Sequence, residues 1–297
     1  MSSVILFLIL YGIAILIGKI FKIKNISIIM NFSVYLLILF LSLWAGREIT
    51  SFSAVFHILF LSIFYSILII IVTYLIGFII PFKITKNYSV SSIIRNYNFS
   101  NFSYLFILII GWVIGYLFEF NIEYSLLIDV LLYLLAFVAG LSIGETINLN
   151  LIKNSLGIGL KIIFVVILSD IISSVILYFL SIRPYSLSLS ICLGSGWYTY
   201  TGSIIASYYG SYYGTLAFLI NFFREQFTFI LVPILFRVYP NPISIIAIGG
   251  ATSMDTTLGL YSLVLGPANS ISALISGVLL TAIIPIVIPL AIYLVPM

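Results

Sequence analysis

Apolar runs long enough to cross a bilayer recur along the whole chain, and few charges interrupt them. Of the 297 residues, 63% are hydrophobic and 7% charged. A soluble domain carries about 25% charged residues, so this chain has too few to build a water-facing surface. The expected fold class is therefore an all-α integral membrane protein with 8 to 10 transmembrane helices, forming a single membrane-embedded unit over residues 1–297. No extramembrane domain is expected.

Spans are expected near 3–20, 28–46, 55–80, 103–119, 124–144, 157–181, 215–237 and 270–296. Two further apolar stretches, 187–209 and 243–266, are interrupted. The first run, Val4 to Ile17, is followed rather than preceded by Lys19, Lys22 and Lys24, so it reads as a span and not a signal peptide. With the N-terminus outside, the cytoplasmic loops hold those three lysines together with Lys83, Lys86, Arg95, Lys153 and Lys161. That arrangement obeys the positive-inside rule and places both termini outside the cytoplasmic membrane. Eight full crossings plus two re-entrant hairpins would also make Arg237 cytoplasmic, whereas ten full crossings would not.

An internal repeat is visible. LLILFLSLWAGREI (36–49) resembles LLYLLAFVAGLSI (131–143), matching Ala45-Gly46 with Ala139-Gly140, and AILIGKIF (14–21) resembles GWVIGYLF (111–118). Residues 1–82 would form one three-span repeat and 103–182 a second, inverted one, with the polar connector 82–102 as the seam. Chance similarity among Leu/Ile-rich helices is the competing explanation. The remaining residues, 187–297, would form a core carrying the site.

The breaks are the most informative stretches. In the first, Gly194-Ser195-Gly196-Trp197-Tyr198-Thr199-Tyr200-Thr201-Gly202 interrupts apolar sequence; in the second, Gly249-Gly250-Ala251-Thr252-Ser253-Met254-Asp255-Thr256-Thr257 does so. Backbone freed inside a bilayer must face protein, water or a ligand, and a matched pair of breaks points to a transport site. Half-helix N-termini suit a carboxylate, and freed carbonyls and acids suit a cation. Close packing through glycines, as in Gly210-x-x-x-Gly214, is the bland explanation, but it leaves Thr252, Ser253, Asp255, Thr256 and Thr257 unexplained.

Glu225 lies near the middle of span 215–237, where a charge costs about 2.5–3.5 kcal/mol on insertion scales. Asn221, Glu225 and Thr228 share a helical face, while Arg224 points about 100 degrees away and is expected to pair with Asp170. The candidate substrate and proton site comprises Glu225, Asp255, Asn221, Thr228, Gly196, Trp197, Tyr198, Gly250, Thr252, Ser253 and Thr256. Asp129 and Glu145 read as interfacial, and Tyr208, Tyr209, Tyr212 and Tyr213 as an interfacial belt or an access gate. Cys192 reads as a packing residue and His57 as structural, so neither a metal site nor any cofactor is expected. Scattered basic residues, for a net charge of +4, argue against nucleic acid.

The run GWYTYTGSIIASYYGSYYGTLAFLINFFREQFTFILVPIL (196–235), followed by GGATSMDTTL (249–258), resembles the lysine exporter LysO family. Over residues 1–185 the similarity is confined to hydropathy and the Ala-Gly signals at span ends. The resemblance implies export of L-lysine across the cytoplasmic membrane against protons, with paired intramembrane acids matching Glu225 and Asp255. It also implies kinship with cation/proton antiporters and bile-acid symporters, whose broken helices cross. A homodimer is compatible with it. The family usually has proline after the second motif, and here Gly259 stands in that place. Na⁺/H⁺ antiport is the alternative transport reading. Intramembrane aspartyl proteolysis would need Gly-x-Gly-Asp or Tyr-Asp contexts, but Asp170 follows Ser169 and Asp255 follows Met254, so no enzymatic activity is expected.

Overall fold

The structure is a computed structural model and describes residues 2–21, 26–48, 51–80, 102–118, 120, 122–146, 149–265 and 267–294. Lys22, Lys24 and nearly all of the polar connector, with Lys83, Lys86 and Arg95, lie outside the described residues. Every regular element among those described is helical. In chain order these are α1 (Ser2–Ile20), α2 (Ile26–Glu48), α3 (Phe52–Gly77), α4 (Phe102–Leu117), α5 (Tyr124–Thr146), α6 (Leu149–Leu180), α7 (Tyr185–Leu193), α8 (Tyr198–Tyr209), α9 (Ser211–Val238), α10 (Pro242–Gly249), a 3-10 turn (Gly250–Met254), α11 (Leu258–Leu265) and α12 (Pro267–Leu294). Four of them contain segments long and apolar enough to cross a membrane: Ser53–Gly77, Leu156–Leu180, Ser211–Val238 and Asn269–Leu294.

Large apolar side chains face outward while several polar ones are enclosed with the apolar core. On α6, Ser169, Asp170 and Ser173 are fully enclosed, while Phe164 is 58% and Phe179 73% exposed. Apolar residues facing outward around a polar interior is the arrangement that lipid rewards, because polar groups must find partners inside the protein.

The chain divides into two compact units. The first comprises Met1–Ser62, Asn98–Ile147 and Tyr198–Leu219. In it α1 packs along α5, and α2 along α4 and α5. Glycines set these contacts: a Cβ on Gly18 would collide with the Leu141 carbonyl, one on Gly46 with that of Trp112, and one on Gly115 with that of Leu43. Small residues let backbones approach where no hydrophobic effect drives helices together. The same device joins α8 to the start of α9, where a Cβ on Gly202 would lie 2.7 Å from Phe218 Cβ and one on Gly214 would collide with Ala206. Gly210, at φ +87°, makes the turn between them.

The second unit comprises Ile63–Tyr97, Asn148–Trp197 and Ile220–Met297. Here α6 packs on α7, α10 and α12, and α12 also covers the 3-10 turn and α11. Asn241 begins α10: its Oδ1 accepts from Ile243 N at 3.0 Å, and Pro242 occupies the first helical position, where no N–H is needed. The same side chain donates from Nδ2 to the carbonyls of Gly77 and Ile80, each at 3.1 Å, which ties the end of α3 to the start of α10.

Candidate functional site where two chain breaks cross

Both interrupted stretches are broken helices. The first runs as α7, a turn at Gly194–Trp197, then α8; the second runs as α10, the 3-10 turn, then α11. Their breaks meet in the second unit. Ala251 N donates to the Ser195 carbonyl at 2.9 Å, and a Cβ on Gly196 would lie 3.2 Å from the Gly249 carbonyl oxygen. The turn is left-handed at Ser195 (φ +46°) and Gly196 (φ +90°), and Gly250 on the opposing break has φ +59°. Gly250 has a second constraint, since a Cβ there would collide with the Ser195 carbonyl. The two glycines therefore permit a backbone-to-backbone crossing that no side chain could occupy.

Two residues of α9, three positions apart and hence on one face, serve the two breaks. Asn221 takes the first: Gly196 N donates to its Oδ1 at 2.8 Å, and its Nδ2 donates to the Ile191 carbonyl at 3.0 Å. Arg224 takes the second: its Nε donates to the Ile248 carbonyl at 3.2 Å. Both acceptors are last-turn carbonyls, of α7 and α10 respectively, where helix termination frees acceptors; that of Ile191 also accepts from Gly194 N at 3.3 Å. A cation at the C-terminal end of α10 also complements the helix dipole.

Arg224 Nη1 donates to Asp170 Oδ1 at 2.9 Å, with the two side chains 1% and 0% exposed. The other carboxylate oxygen of Asp170 accepts from the Ser195 hydroxyl. Asp170 thus joins α6 to α9 and to the first break. Around the second break, Thr252 Oγ1 donates to the Gly249 carbonyl at 2.9 Å, and Thr257 Oγ1 to the Thr252 carbonyl at 2.9 Å. Ser253 Oγ donates to the carbonyls of Gly250 at 2.7 Å and Ala273 at 2.9 Å, anchoring the 3-10 turn to α12.

The remaining candidates are distributed differently. Glu225 is buried, with 1% exposed, and its Oε1 accepts from Gln226 Nε2 at 3.2 Å. Asp255 is exposed, and its Oδ1 accepts from the backbone N of Thr256 at 2.6 Å and its hydroxyl at 3.3 Å. Thr228 turns its hydroxyl to the Arg224 carbonyl on its own helix, at 2.7 Å. Trp197 is half-buried in the turn, its N–H donating to Gly194 O at 2.8 Å. Tyr198 belongs to the first unit, where it packs edge-on against Phe218 with centroids 5.2 Å apart. Asp129 is exposed on α5, Cys192 is a buried free thiol, and His57 Nδ1 lies 3.4 Å from Tyr212 Oη. Among the described residues no group of three His, Cys, Asp or Glu could hold a metal.

Sequence reasoning overlooked Ser195 as a partner of Asp170, and Tyr261, whose Oη accepts from Gly249 N at 3.0 Å and donates to the Ile246 carbonyl at 3.3 Å. A hydroxyl inside the first break was the only signal for Ser195; Tyr261 lies within an ordinary apolar helix and gave none.

A family model described as lysine exporter LysO matches residues 105–292, more than half of the chain. Among curated proteins, the lysine exporter LysO of Escherichia coli (strain K12) is 30% identical over 130 residues, covering 44% of this chain and 43% of that protein. A putative lysine exporter of Haemophilus influenzae is 31% identical over 105 residues, covering 35% of this chain and 52% of that protein. The chain thus matches about half the length of these relatives or less. No solved structure matches. The region matched by the family model includes both breaks, Asp170 and the α9 face that joins them, and on that basis the chain belongs to the lysine exporter LysO family.

Proposed function

We propose that this protein exports L-lysine, or a closely similar cationic amino acid, from the cytoplasm in exchange for protons. The observation that carries the reading is the crossing of the two breaks through Ser195 and Ala251, with an enclosed network of side chains around it. A matched pair of chain breaks whose freed backbone is held by side chains is the arrangement expected at a transport site. The curated relatives are named as lysine exporters, one of them putatively.

Glu225 and Asp255 are the proposed carriers of charge, alternately holding protons and the ammonium groups of the cargo. One is enclosed and the other exposed, which suits groups that pass an ion between the site and its surroundings. Moving Lys⁺ outward against an inside-negative potential costs about 2.3 kcal/mol per 100 mV, and inward movement of one H⁺ cancels that cost. The proposed setting is the cytoplasmic membrane, with both termini outside, eight crossings and two re-entrant hairpins. An inverted relation between 1–82 and 103–182 is supported by reciprocal packing: the first helix of each repeat lies along the second helix of the other, α1 with α5 and α4 with α2.

Counterflow of labelled lysine in liposomes containing the full chain tests the reading. Exchange that depends on internal lysine supports it. Failure of lysine to exchange, with sodium dissipating a pH gradient instead, would assign Na⁺/H⁺ antiport.

A further inference from the structure

The guanidinium of Arg224 is sealed in the second unit, yet its donors are incompletely used. Nη1 serves Asp170 and Nε serves the Ile248 carbonyl, while Nη2 is buried with no acceptor among the described residues. A guanidinium carries five N–H groups in a fixed fork, and a buried donor left unmade costs about 1–3 kcal/mol, more when it belongs to a charged group. Arg224 lies between the two breaks, bonded directly to the end of α10 and through Asp170 to Ser195. A second polar group on the helices holding the pair is also unused. Ser173, three positions after Asp170 and so on its face of α6, has a buried hydroxyl without a hydrogen-bond partner among the described residues.

We propose that Nη2 of Arg224 receives the α-carboxylate of the transported amino acid, which makes Arg224 the residue that restricts the cargo to amino acids and excludes diamines. The inference rests on the export reading above. Its chemistry follows from charge. A neutral Arg224–Asp170 pair gives no net attraction for a second cation, so the pair would not select an ammonium group. An unfilled N–H on a guanidinium already fixed by two other bonds offers a rigid, charge-assisted donor to a carboxylate oxygen. The ammonium groups of the cargo are then left to Glu225 and Asp255. A site built to hydrogen-bond a group discriminates strongly against an analogue lacking it, because the buried donor then goes unpaired.

The test is competition against labelled-lysine counterflow in liposomes holding the full chain. The competitors are lysine, lysinamide and 1,5-diaminopentane, which is lysine without its carboxylate. Wild type should favour lysine over the diamine by at least about tenfold, the lower end expected for a hydrogen bond to a charged group. Lysinamide should compete as poorly as the diamine. In the neutral double variant Arg224→Gln/Asp170→Asn, the advantage of lysine over the diamine should fall to within about twofold, whatever the overall counterflow rate. Equal competition by the three compounds in wild type overturns the proposal without reference to any variant, so a variant that does not fold leaves the test intact. An unchanged preference in the double variant, with both compounds weakened equally, assigns Arg224 a structural role and also overturns it. Absence of any lysine counterflow in wild type removes the export reading and this inference with it, and is distinguished by needing no competitor.

Discussion

Asp170 on α6 accepts from Arg224 on α9 through one carboxylate oxygen and from Ser195 in the first chain break through the other. One enclosed acid therefore ties the crossing to two long helices. Removal of either charge alone leaves the other buried and unpaired, which costs about 3–5 kcal/mol. Asp170→Asn and Arg224→Gln should each lower the thermal midpoint in detergent by several degrees. The double variant should recover most of that loss. Additive losses in the double variant would show that the pair is not coupled.

Glycine is required at one turn for two reasons and at another for one. Gly250 has a positive φ, and a Cβ there would collide with the Ser195 carbonyl; Gly210 also has a positive φ, but nothing lies within 4 Å of where its Cβ would be. Gly210→Ala should cost only the left-handed strain, about 1–2 kcal/mol. Gly250→Ala must also push the two breaks apart, and counterflow should fall at least about tenfold further than in Gly210→Ala. Equal activity of the two variants would place the crossing outside the transport path.

Asn221 bonds the first break twice, at Gly196 N and the Ile191 carbonyl. Asn221→Ala leaves the buried Gly196 N–H without this acceptor, at about 1–3 kcal/mol, while the Ile191 carbonyl keeps its bond from Gly194 N. Hydrogen exchange should then rise at Gly196 and its neighbours while α12 stays protected. Unchanged exchange around Gly196 would contradict the assigned role.

Much of this was legible in the sequence because a bilayer narrows the choices. Apolar length alone predicts helices at 28–46 and 215–237, close to the observed Ile26–Glu48 and Ser211–Val238. The two breaks were legible because clustered glycine and hydroxyl residues are costly at mid-depth. Beyond the Arg224–Asp170 pair, sequence could not give the three-dimensional partners of these groups. Helical spacing put Asn221 with Glu225 and Thr228, yet Asn221 and Arg224 are the residues whose side chains reach the breaks, and the Thr228 hydroxyl folds back onto its own helix. A spacing of four and a spacing of three both lie near one face, so periodicity did not choose between them. Tyr261 was hidden for a related reason: its hydroxyl caps the end of α10 from an otherwise apolar helix.

Glu225, a buried acid on α9, is proposed to couple lysine export to protons. The most direct test is efflux of labelled lysine from liposomes containing the full chain, driven by an imposed inward proton gradient, in wild type and in Glu225→Gln. Wild type should accelerate efflux when the gradient is applied. Glu225→Gln should lose that acceleration, with gradient-driven efflux reduced at least about tenfold. Full proton-driven efflux in Glu225→Gln would contradict the mechanism.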